Sequence, residues 1–390
     1  MKIKRLSLPF TIILLLSLAL CGCIPSTGEA QGWPGVSCHN GTLYTSSTGK
    51  IAAIDPSAQS QEWSHAFFAS SQGSSFLSCG RPSSAPVSLY NTATASGDLV
   101  HVGAYNGKVY ALNTDTGVER WIYPKEGHIG AIVGNPLVLN DTVYVCSADD
   151  RESDNTKRSR VYALNTAYGE FKWKSDPLGD KLWASPIANE AGDTIYVSTF
   201  DGHIYALSAK DGSQLPWVFN AEAGLVSSPA LCEDTMFVGS FNRNLYAVRI
   251  GEDKFLWKFA GGNWLWATPL VSNGVVYAGC LDGKIYALNS QTGDELWEFD
   301  AQCPIVSPPI LVNDLLVVAC DSGKVSILES EAKGDNKLLR EIIIPASVQG
   351  SICAHEGIVY IYAQDNYLYA LDINKGEITW KILLSTEQEP

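Results

Sequence analysis

The stretch that decides the fold is Gly107-Lys108-Val109-Tyr110-Ala111-Leu112-Asn113, followed by Thr116-Gly117 and Trp121. It combines a glycine, an aromatic-Ala-Leu core, a polar turn that contains glycine, and a tryptophan. Versions of this unit recur along the chain, and seven of them end in a tryptophan: Trp63, Trp121, Trp173, Trp217, Trp257, Trp297 and Trp380. A degenerate copy, Val325-Ser326-Ile327-Leu328, lacks the tryptophan. Regular self-similarity indicates a repeat architecture, so eight copies predict eight repeats of one unit.

The spacing of the copies settles at about 40 residues, which fits a four-stranded propeller blade. Each period carries four strand signals. The innermost strand opens near a small-residue-Pro pair such as Ser185-Pro186, and a second apolar run such as Thr142-Val143-Tyr144-Val145 follows. The third strand is the Tyr-Ala-Leu segment, and the fourth and outermost carries the tryptophan. We therefore predict an all-β fold, a single eight-bladed β-propeller of four-stranded antiparallel blades over residues 36–390.

The third strand predicts how the blades pack. Alternation places Val109 and Ala111 on one face and Tyr110 and Leu112 on the other, so both faces of the blade are apolar. Gly117 permits the positive φ of a tight hairpin turn. We expect each tryptophan to seal the gap to the next blade while its indole N–H finds a backbone acceptor.

Two wide spacings in the first half of the chain mark insertions. One is the serine-rich stretch 69–84, and the other is the charged stretch 149–160. Both have little apolar content, so we predict solvated loops.

The N-terminus predicts export. Lys2, Lys4 and Arg5 precede the apolar run 6–20, which is short for a membrane span and typical of a secretory signal. Leu20-Cys21-Gly22-Cys23 resembles the bacterial lipobox, which implies that residues 1–22 are removed, that Cys23 is diacylated, and that residues 23–35 form a tether. Ile24 after the acceptor implies, by resemblance to enterobacterial lipoproteins, the periplasmic face of the outer membrane in a Gram-negative cell. An ordinary cleavage site near Ala30 is the alternative.

The charge of the chain limits its partners. The net charge is −14, and removal of the signal takes away three basic and no acidic residues, which leaves −17. A nucleic-acid partner is unfavourable because phosphate binding needs a basic surface. Anionic lipid headgroups would also repel this chain. We therefore expect attachment through the N-terminal lipid, other envelope proteins as partners, and a monomer within a larger complex.

Eight cysteines follow Cys23, and none has a partner at C-x-x-C or adjacent spacing. Most are expected to be buried as small apolar side chains. Two pairings stay open. Cys280 and Cys320 occupy a similar register in neighbouring repeats, and Cys38 and Cys353 lie close if the first blade meets the last.

The pattern from Gly107 to Trp121 resembles the pyrroloquinoline quinone (PQQ) repeat, and its copies together cover nearly all of the mature chain. Two branches share it. Resemblance to quinoprotein dehydrogenases implies PQQ and calcium above the ring centre and the oxidation of alcohols or sugars. Resemblance to the outer-membrane assembly lipoproteins of the BamB family implies a lipobox, eight blades, and a non-catalytic scaffold in β-barrel insertion. A third interpretation of the repeat is a related lipoprotein that binds another ligand.

The residues favour a non-catalytic scaffold with no cofactor, metal ligand or catalytic residue. A quinoprotein needs a base beside the quinone and oxygen ligands for calcium. The chain lacks a vicinal cysteine pair and a C-x-x-C-H haem motif, and its six histidines show no metal-ligand spacing. Asp201, Asp282 and Asp321 lie at hairpins, where aspartate is favoured by turn chemistry. A compact PQQ-dependent alcohol or sugar dehydrogenase, or a PQQ-binding protein, remains the enzyme-class alternative.

Three tryptophans are the candidate contacts for a partner or ligand. Trp183 and Trp266 stand two residues before the small residue of a Pro pair, and Trp264 is close by. This position leads into the innermost strand, so the rings are expected at one mouth of the central channel. In a quinoprotein, Trp183 or Trp266 would instead stack on the quinone. Packing between the inner strands is the structural alternative.

Overall fold

The computed structural model describes residues 32–47, 49–68, 86–151, 157–225, 227–330 and 337–384. The predicted leader, Cys23, the tether up to residue 31 and the stretch 69–84 lie outside the described residues. The described chain forms eight four-stranded antiparallel sheets. The predicted all-β, eight-bladed propeller is therefore confirmed. No helix in the described part of the chain is suited to crossing a membrane.

Each blade consists of four strands that are consecutive in sequence. Blade 1 contains β1 (Gly35–His39), β2 (Thr42–Ser47), β3 (Lys50–Asp55) and β4 (Ser60–Ala66), and blade 2 contains β5 (Thr94–Ser96), β6 (Leu99–Gly103), β7 (Val109–Asn113) and β8 (Glu119–Tyr123). Blade 3 contains β9 (Leu137–Leu139), β10 (Thr142–Arg151), β11 (Lys157–Asn165) and β12 (Phe171–Lys174), and blade 4 contains β13 (Ile187–Ala188), β14 (Thr194–Ser198), β15 (His203–Ser208) and β16 (Gln214–Asn220). Blades 5 to 8 contain β17 (Ala230–Cys232), β18 (Thr235–Gly239), β19 (Asn244–Arg249), β20 (Phe255–Ala260); β21 (Leu270–Ser272), β22 (Val275–Gly279), β23 (Lys284–Asn289), β24 (Glu295–Asp300); β25 (Ile310–Val312), β26 (Leu315–Ala319), β27 (Lys324–Glu329), β28 (Leu338–Ile343); β29 (Cys353–His355), β30 (Ile358–Tyr362), β31 (Tyr367–Asp372) and β32 (Glu377–Leu383).

The ring closes directly between the first and last blades. The backbone N–H of Val36 donates to the carbonyl of Ser351 at 3.0 Å. Leu43 of blade 1 packs with Leu368 of blade 8 in one buried cluster. Each sheet keeps its own four strands, so side-chain packing rather than an exchanged strand holds this seam.

The third strand is buried on both faces, as predicted. Val109, Tyr110, Ala111 and Leu112 are all buried. The fourth strand pairs with it through a register shift between the Ala and Leu positions, as at Ala111/Leu112. This shift recurs in all seven other blades, at the equivalent residues in six of them and between Tyr205 and Leu207 in blade 4. Such bulges increase local twist, which suits the outer part of a propeller blade.

The tryptophans join neighbouring blades, as predicted. The indole N–H of Trp63 donates to the carbonyl of Thr114 in the next blade at 2.7 Å, and its ring covers Gly117. Four further bonds of this kind link Trp121 to Thr166, Trp173 to Ala209, Trp217 to Glu252 and Trp257 to Ser290. In blade 7, Arg340 takes the tryptophan position opposite Ile327 and lies beside Gly376 of blade 8.

The described part of the charged insertion, residues 149–151 and 157–160, differs from the predicted loop, and residues 152–156 lie outside the described residues. The hairpin of β10 and β11 continues outward, with pairing from Ser147 to Arg160 and, past a bulge, from Asp150 to Arg158. Arg160 is buried and donates to the carbonyl of Ser175 at 2.7 Å. Antiparallel pairing therefore satisfies backbone groups that a solvated loop would expose. The propeller also begins earlier than residue 36, because β1 starts at Gly35.

The cysteine pairing differs from both sequence expectations. Cys303 is bonded to Cys320, with 5.8 Å between their Cα atoms, within the range for disulfides. Cys280 is buried and free. Cys38 and Cys353 are also free, and both pack against the cluster at the closing seam.

Candidate functional site

The strongest candidate site is the axial mouth, which we define as the cavity where the segments leading into the innermost strands converge at one end of the channel. All eight blades contribute to its lining, and its volume, open to solvent, is about 730 Å³. Its lining includes Trp33, Tyr90, Asn91, Thr92, Val133, Asn135, Trp183, Ser185, Phe200, Ser228, Trp266, Thr268, Val306, Gln349 and Ser351.

The repeat itself places these residues. Trp183-Ala184-Ser185-Pro186 and Trp266-Ala267-Thr268-Pro269 precede the innermost strands of blades 4 and 6. The same position is described in five other blades. It is occupied by Trp33, Tyr90, Val133, Val306 and Gln349 in blades 1, 2, 3, 7 and 8. One position per repeat thus forms a ring around the axis.

In blades 3, 4 and 5, the side chain two places later binds the blade to the previous one. The backbone N–H of Asn135 donates to Oγ of Ser185 at 2.8 Å, and the N–H of Ser185 donates to Oγ of Ser228 at 2.9 Å. The N–H of Thr92 donates to Oδ1 of Asn135 at 2.8 Å. These bonds satisfy backbone groups near the axis and give the mouth a fixed frame.

An aromatic arc of eight rings runs along the mouth. Neighbouring rings have centroids 4.9–6.4 Å apart, in the range of favourable aromatic pairs. Seven rings form one chain of contacts, in the order Trp183, Phe200, Phe241, Trp266, Trp33, Tyr90 and Tyr105. The eighth, Trp264, branches from Phe241. Trp33 of blade 1 reaches Trp266 of blade 6, so its ring extends across the mouth.

The structure brings the three candidate tryptophans to this arc. Trp183 and Trp266 line the mouth and are half-buried. Trp264 lies beside Phe241 with its ring 40% exposed, outside the lining. They occupy one surface at the mouth rather than the space between blades.

Sequence reasoning missed the other five rings, although the repeat carries a signal for them. Tyr105, Phe200 and Phe241 each follow the second strand of a blade, in Ala-Tyr-Asn-Gly, Thr-Phe-Asp-Gly and Ser-Phe-Asn-Arg. The backbone N–H at this position bonds to the connector before the innermost strand, as from Phe200 to Lys181. Aligning the hairpins would have revealed these three rings. Trp33 and Tyr90 precede Gly35-Val36 and Thr92-Ala93 in place of a Pro pair, so the Pro pairs give no signal for these two rings.

Blades 7 and 8 place polar groups at the hairpin position where blades 2, 4 and 5 place rings. Asp321 takes the hairpin position and accepts hydrogen bonds from Oγ of Ser347 at 2.6 Å and Nε2 of Gln349 at 2.9 Å. Gln364 takes this position in blade 8 and donates to Oε1 of Gln349 at 3.1 Å. The mouth therefore has an aromatic arc and an opposing polar side.

The other hairpin aspartates stabilise turns, as expected. Asp282 accepts from the backbone N–H of Lys284 at 2.9 Å and from the hydroxyl of Tyr286 at 2.6 Å. Burial opposes ionisation of Asp282, but these hydrogen bonds outweigh it and lower the pKa of this carboxyl. Asp201 accepts from the hydroxyl of Thr199 and lies 3.1 Å from Nδ1 of His203. Asp321 differs, since its carboxylate is held by the polar side of the mouth.

The described lining of the mouth consists of uncharged groups. None of the described lining residues is Asp, Glu, Lys or Arg. The described residues also contain no cluster of three or more His, Cys, Asp or Glu that could hold a metal ion. A rigid, uncharged surface with aromatic rings and a few amide and hydroxyl groups is a common form of recognition site.

Comparisons with known proteins agree with this fold. A curated relative, the outer membrane protein assembly factor BamB of Moranella endobia, is 26% identical over 178 residues, 42% of each chain. A tetrathionate hydrolase of Acidithiobacillus ferrooxidans is 23% identical over 64% of this chain and 52% of its own length. The chain thus spans about half or less of these curated relatives.

Solved structures share the architecture at low identity. BamB from Moraxella catarrhalis has a TM-score of 0.63 and 16% identity, covering 91% of this chain and 95% of its own. A quinohemoprotein alcohol dehydrogenase from Comamonas testosteroni has a TM-score of 0.66 and 13% identity, covering 88% and 71%. The family model described as outer membrane protein assembly factor BamB matches residues 47–217 and 200–337, well over half of the sequence. The chain therefore belongs to this family of PQQ-repeat, BamB-like propellers.

Proposed function

We propose that this protein is a non-catalytic, lipid-anchored β-propeller outside the cytoplasm that acts as a protein-binding or assembly scaffold. The observation that carries the proposal is the axial mouth, an uncharged surface with an aromatic arc to which all eight blades contribute. Aromatic anchors supply much of the affinity at protein interfaces, whereas general acid–base catalysis needs a titratable group beside the reacting atom. Family membership supports other envelope proteins as partners and a role in outer-membrane protein assembly.

The anchor in this proposal is Cys23, diacylated after removal of residues 1–22. Two or more acyl chains hold a protein stably on a bilayer, whereas one does not. The location is the periplasmic face of the outer membrane in a Gram-negative cell. There the protein acts as a monomer that joins a larger complex.

The partner contacts in this proposal are Trp183 and Trp266 inside the mouth, with Trp264 at its edge. The first two are half-buried and supported by Phe200 at 5.0 Å and by Trp33 at 5.9 Å. Rings held in place before binding lose little conformational freedom on binding, which favours affinity.

A compact quinoprotein is the alternative, and its shared architecture with quinohemoprotein alcohol dehydrogenase favours it at the level of fold. The described residues of the mouth do not fit PQQ. PQQ carries three carboxylates, and the described lining has no Lys or Arg to pair with them. Calcium prefers several oxygen ligands including carboxylates, and the described residues form no such acidic cluster. We therefore propose a function without this cofactor.

Crosslinking of the full-length lipidated protein in its own envelope, with wild type compared with Trp183→Ala and Trp266→Ala, tests the scaffold. Tyr168→Ala is the matched control, because Tyr168 is 73% exposed in the turn between β11 and β12. We expect both tryptophan variants to lose the partner and to keep the thermal stability of wild type, and the control to retain the partner. Unchanged crosslinking, or a large loss of stability in both variants, would contradict the proposed contacts.

Calorimetric titration with PQQ and calcium tests the alternative. We expect no heat of binding and no dye-linked oxidation of alcohols or sugars. Saturable binding with turnover would make the protein a quinoprotein instead.

A further inference from the structure

We propose that the aromatic arc faces the membrane to which the protein is anchored, and that Tyr105 and Trp264 rest among the lipid headgroups. This inference rests on the proposed lipid at Cys23. The occupant of the exposed part of the arc is therefore the bilayer surface, and a partner held in the mouth is held next to that surface.

The blade topology separates two ends of the propeller. In an antiparallel four-stranded blade, the hairpin between the second and third strands lies at the same end as the connector to the next blade. This end carries the aromatic arc, and we call it the mouth rim. The turns between the first and second strands and between the third and fourth strands lie at the other end, which we call the turn rim.

The described chain enters the propeller at the mouth rim. The backbone N–H of Trp33 donates to the carbonyl of Leu89 at 3.1 Å, and the Trp33 ring contacts Tyr90. Ten residue steps connect Cys23 to Trp33, and an extended chain covers at most about 3.3–3.6 Å per step, so the span is at most roughly 35 Å.

This length favours the mouth rim as the membrane side. To bring the turn rim to the bilayer, the tether would have to cross the breadth of a blade, about three strand spacings of ~4.8 Å. It would then have to follow the outer strand for ~17 Å or more. This path uses about 30 Å of the available length. With the mouth rim toward the bilayer, the same tether leaves room for close contact.

Exposed carboxylates occur at both rims, and the centre of the mouth rim is the part without them. The turn rim carries many exposed carboxylates, among them Asp98, Asp115, Asp193, Glu233, Asp294 and Glu356. Such a surface is repelled by the negative potential of anionic lipids, which acts over about a Debye length. The mouth rim carries exposed carboxylates on its periphery, among them Glu126, Asp176, Asp180, Asp201 and Glu222. Its centre differs, because the described lining of the mouth is uncharged and Lys181 lies 5.4 Å from the Trp183 ring.

The exposed rings of the mouth rim have the chemistry of membrane-interface residues. Tyr105 is 46% exposed and Trp264 is 40% exposed. Tyr and Trp prefer the headgroup level because one part of each ring system is apolar and another donates hydrogen bonds. Trp264 lies at the edge of the mouth and outside its lining, so its exposed part contacts lipid while the rest of its ring stays beside the partner that Trp183 and Trp266 hold.

The experiment uses the full-length lipidated protein in phosphatidylcholine vesicles, with and without lipids brominated near the headgroup, and measures quenching of tryptophan fluorescence. Trp264→Phe removes the fluorophore and keeps an apolar ring. Trp217→Phe is the matched control, because Trp217 is half-buried on the outer strand β16 and bonds to Glu252 near the turn rim. We expect bromolipid quenching of wild type, loss of more than half of it in Trp264→Phe, and no loss in Trp217→Phe.

Flotation with the vesicles separates the two levels of inference. If wild type does not float, or if Cys23→Ala floats as well as wild type, the lipid anchor is wrong and the orientation is overturned with it. If wild type floats through Cys23 and Trp264→Phe changes nothing, the anchor stands, the orientation is wrong, and the arc is left to a protein partner.

Discussion

The contact between Gly117 and Trp63 allows a sharp test of how the blades are joined. Gly117 has a φ of +66°, and a Cβ added to it would lie 2.3 Å from Cε3 of Trp63 in the preceding blade. Replacement by alanine has two separable effects. A left-handed φ costs a residue with Cβ about 1–2 kcal/mol, and overpacking costs a further ~1–3 kcal/mol. We expect Gly117→Ala to reduce the free energy of unfolding by about 3 kcal/mol.

Gly97→Ala is the matched control. Gly97 has a φ of +61°, and no atom lies within 4 Å of its added Cβ. This variant carries the backbone effect alone, so we expect a loss of about 1–2 kcal/mol. Trp63→Ala should cost ~3–5 kcal/mol because it opens the seam. In the double variant Trp63→Ala/Gly117→Ala, the alanine at residue 117 has no ring to clash with. The loss of stability should therefore be smaller than the sum of the losses in the two single variants.

Thermal unfolding by calorimetry, supported by urea titration where unfolding is reversible, measures these differences. A loss of 1 kcal/mol lowers the melting temperature of a domain of 150–250 residues by roughly 2–4 °C, and by less in a longer chain. Gly117→Ala should therefore melt several degrees below wild type and below Gly97→Ala. Equal melting temperatures for the two alanine variants would refute the argument that close approach of the tryptophan requires glycine.

Three further predictions follow from buried polar groups and from the disulfide. His101 is buried beside Trp121, and burial lowers its pKa, so the unfolded chain binds more protons than the folded one below pH ~6.5. The stability of wild type should therefore fall as the pH falls, by at most ~1.4 kcal/mol per pH unit. Melting temperatures of His101→Phe between pH 7.5 and 5.5 should lack this fall, and a parallel pH dependence in the two proteins would contradict the prediction. Ser185→Ala removes the acceptor for the N–H of Asn135, so the free energy of unfolding measured in urea should fall by about 1–3 kcal/mol. The control Ser213→Ala changes an exposed serine and should cost less than ~0.5 kcal/mol. Equal losses in the two variants would argue against the bond. Cys303→Ser removes the disulfide to Cys320, 17 residues away, and should lower the free energy of unfolding by about 3 kcal/mol. Wild type in the presence of a reductant should melt at the same temperature as this variant. If the reductant leaves the melting temperature of wild type unchanged, the disulfide is contradicted.

Strand order and blade number could be predicted because every repeat carries its own turn glycine and its own buried third strand. The inter-blade role of Trp63 could be predicted because an indole on an outer strand has only the neighbouring blade to cover it. The hairpin from Ser147 to Arg160 was missed because its charged residues resemble a loop, while its backbone pairing leaves no mark in side-chain chemistry. The disulfide of Cys303 was missed because Cys303 lies in a connector whose path depends on two blades at once.

The candidate site could be predicted only where a residue type was unusual. Trp183, Trp264 and Trp266 stood out as tryptophans outside the repeat pattern. Phe200 and Phe241 did not, because a single phenylalanine beside a hairpin is common in a β protein. They form one surface only because the propeller places equivalent hairpins of neighbouring blades side by side, with 5.2 Å between the ring centroids of Phe200 and Phe241.

The repeat also explains why binding and stability are separable in this propeller. The groups that join blades lie in outer strands and in turns, as with Trp63 and Gly117, and at the small residue before each proline, as with Ser185. The ring position two residues before that small residue tolerates different side chains, since it accommodates Trp33 in blade 1 and Gln349 in blade 8 within the same frame. Gln349 also bonds to Asp321 of blade 7. Substitutions at this position should therefore change what the mouth recognises and leave the ring intact. Function resides in such sites and not in the fold that carries them.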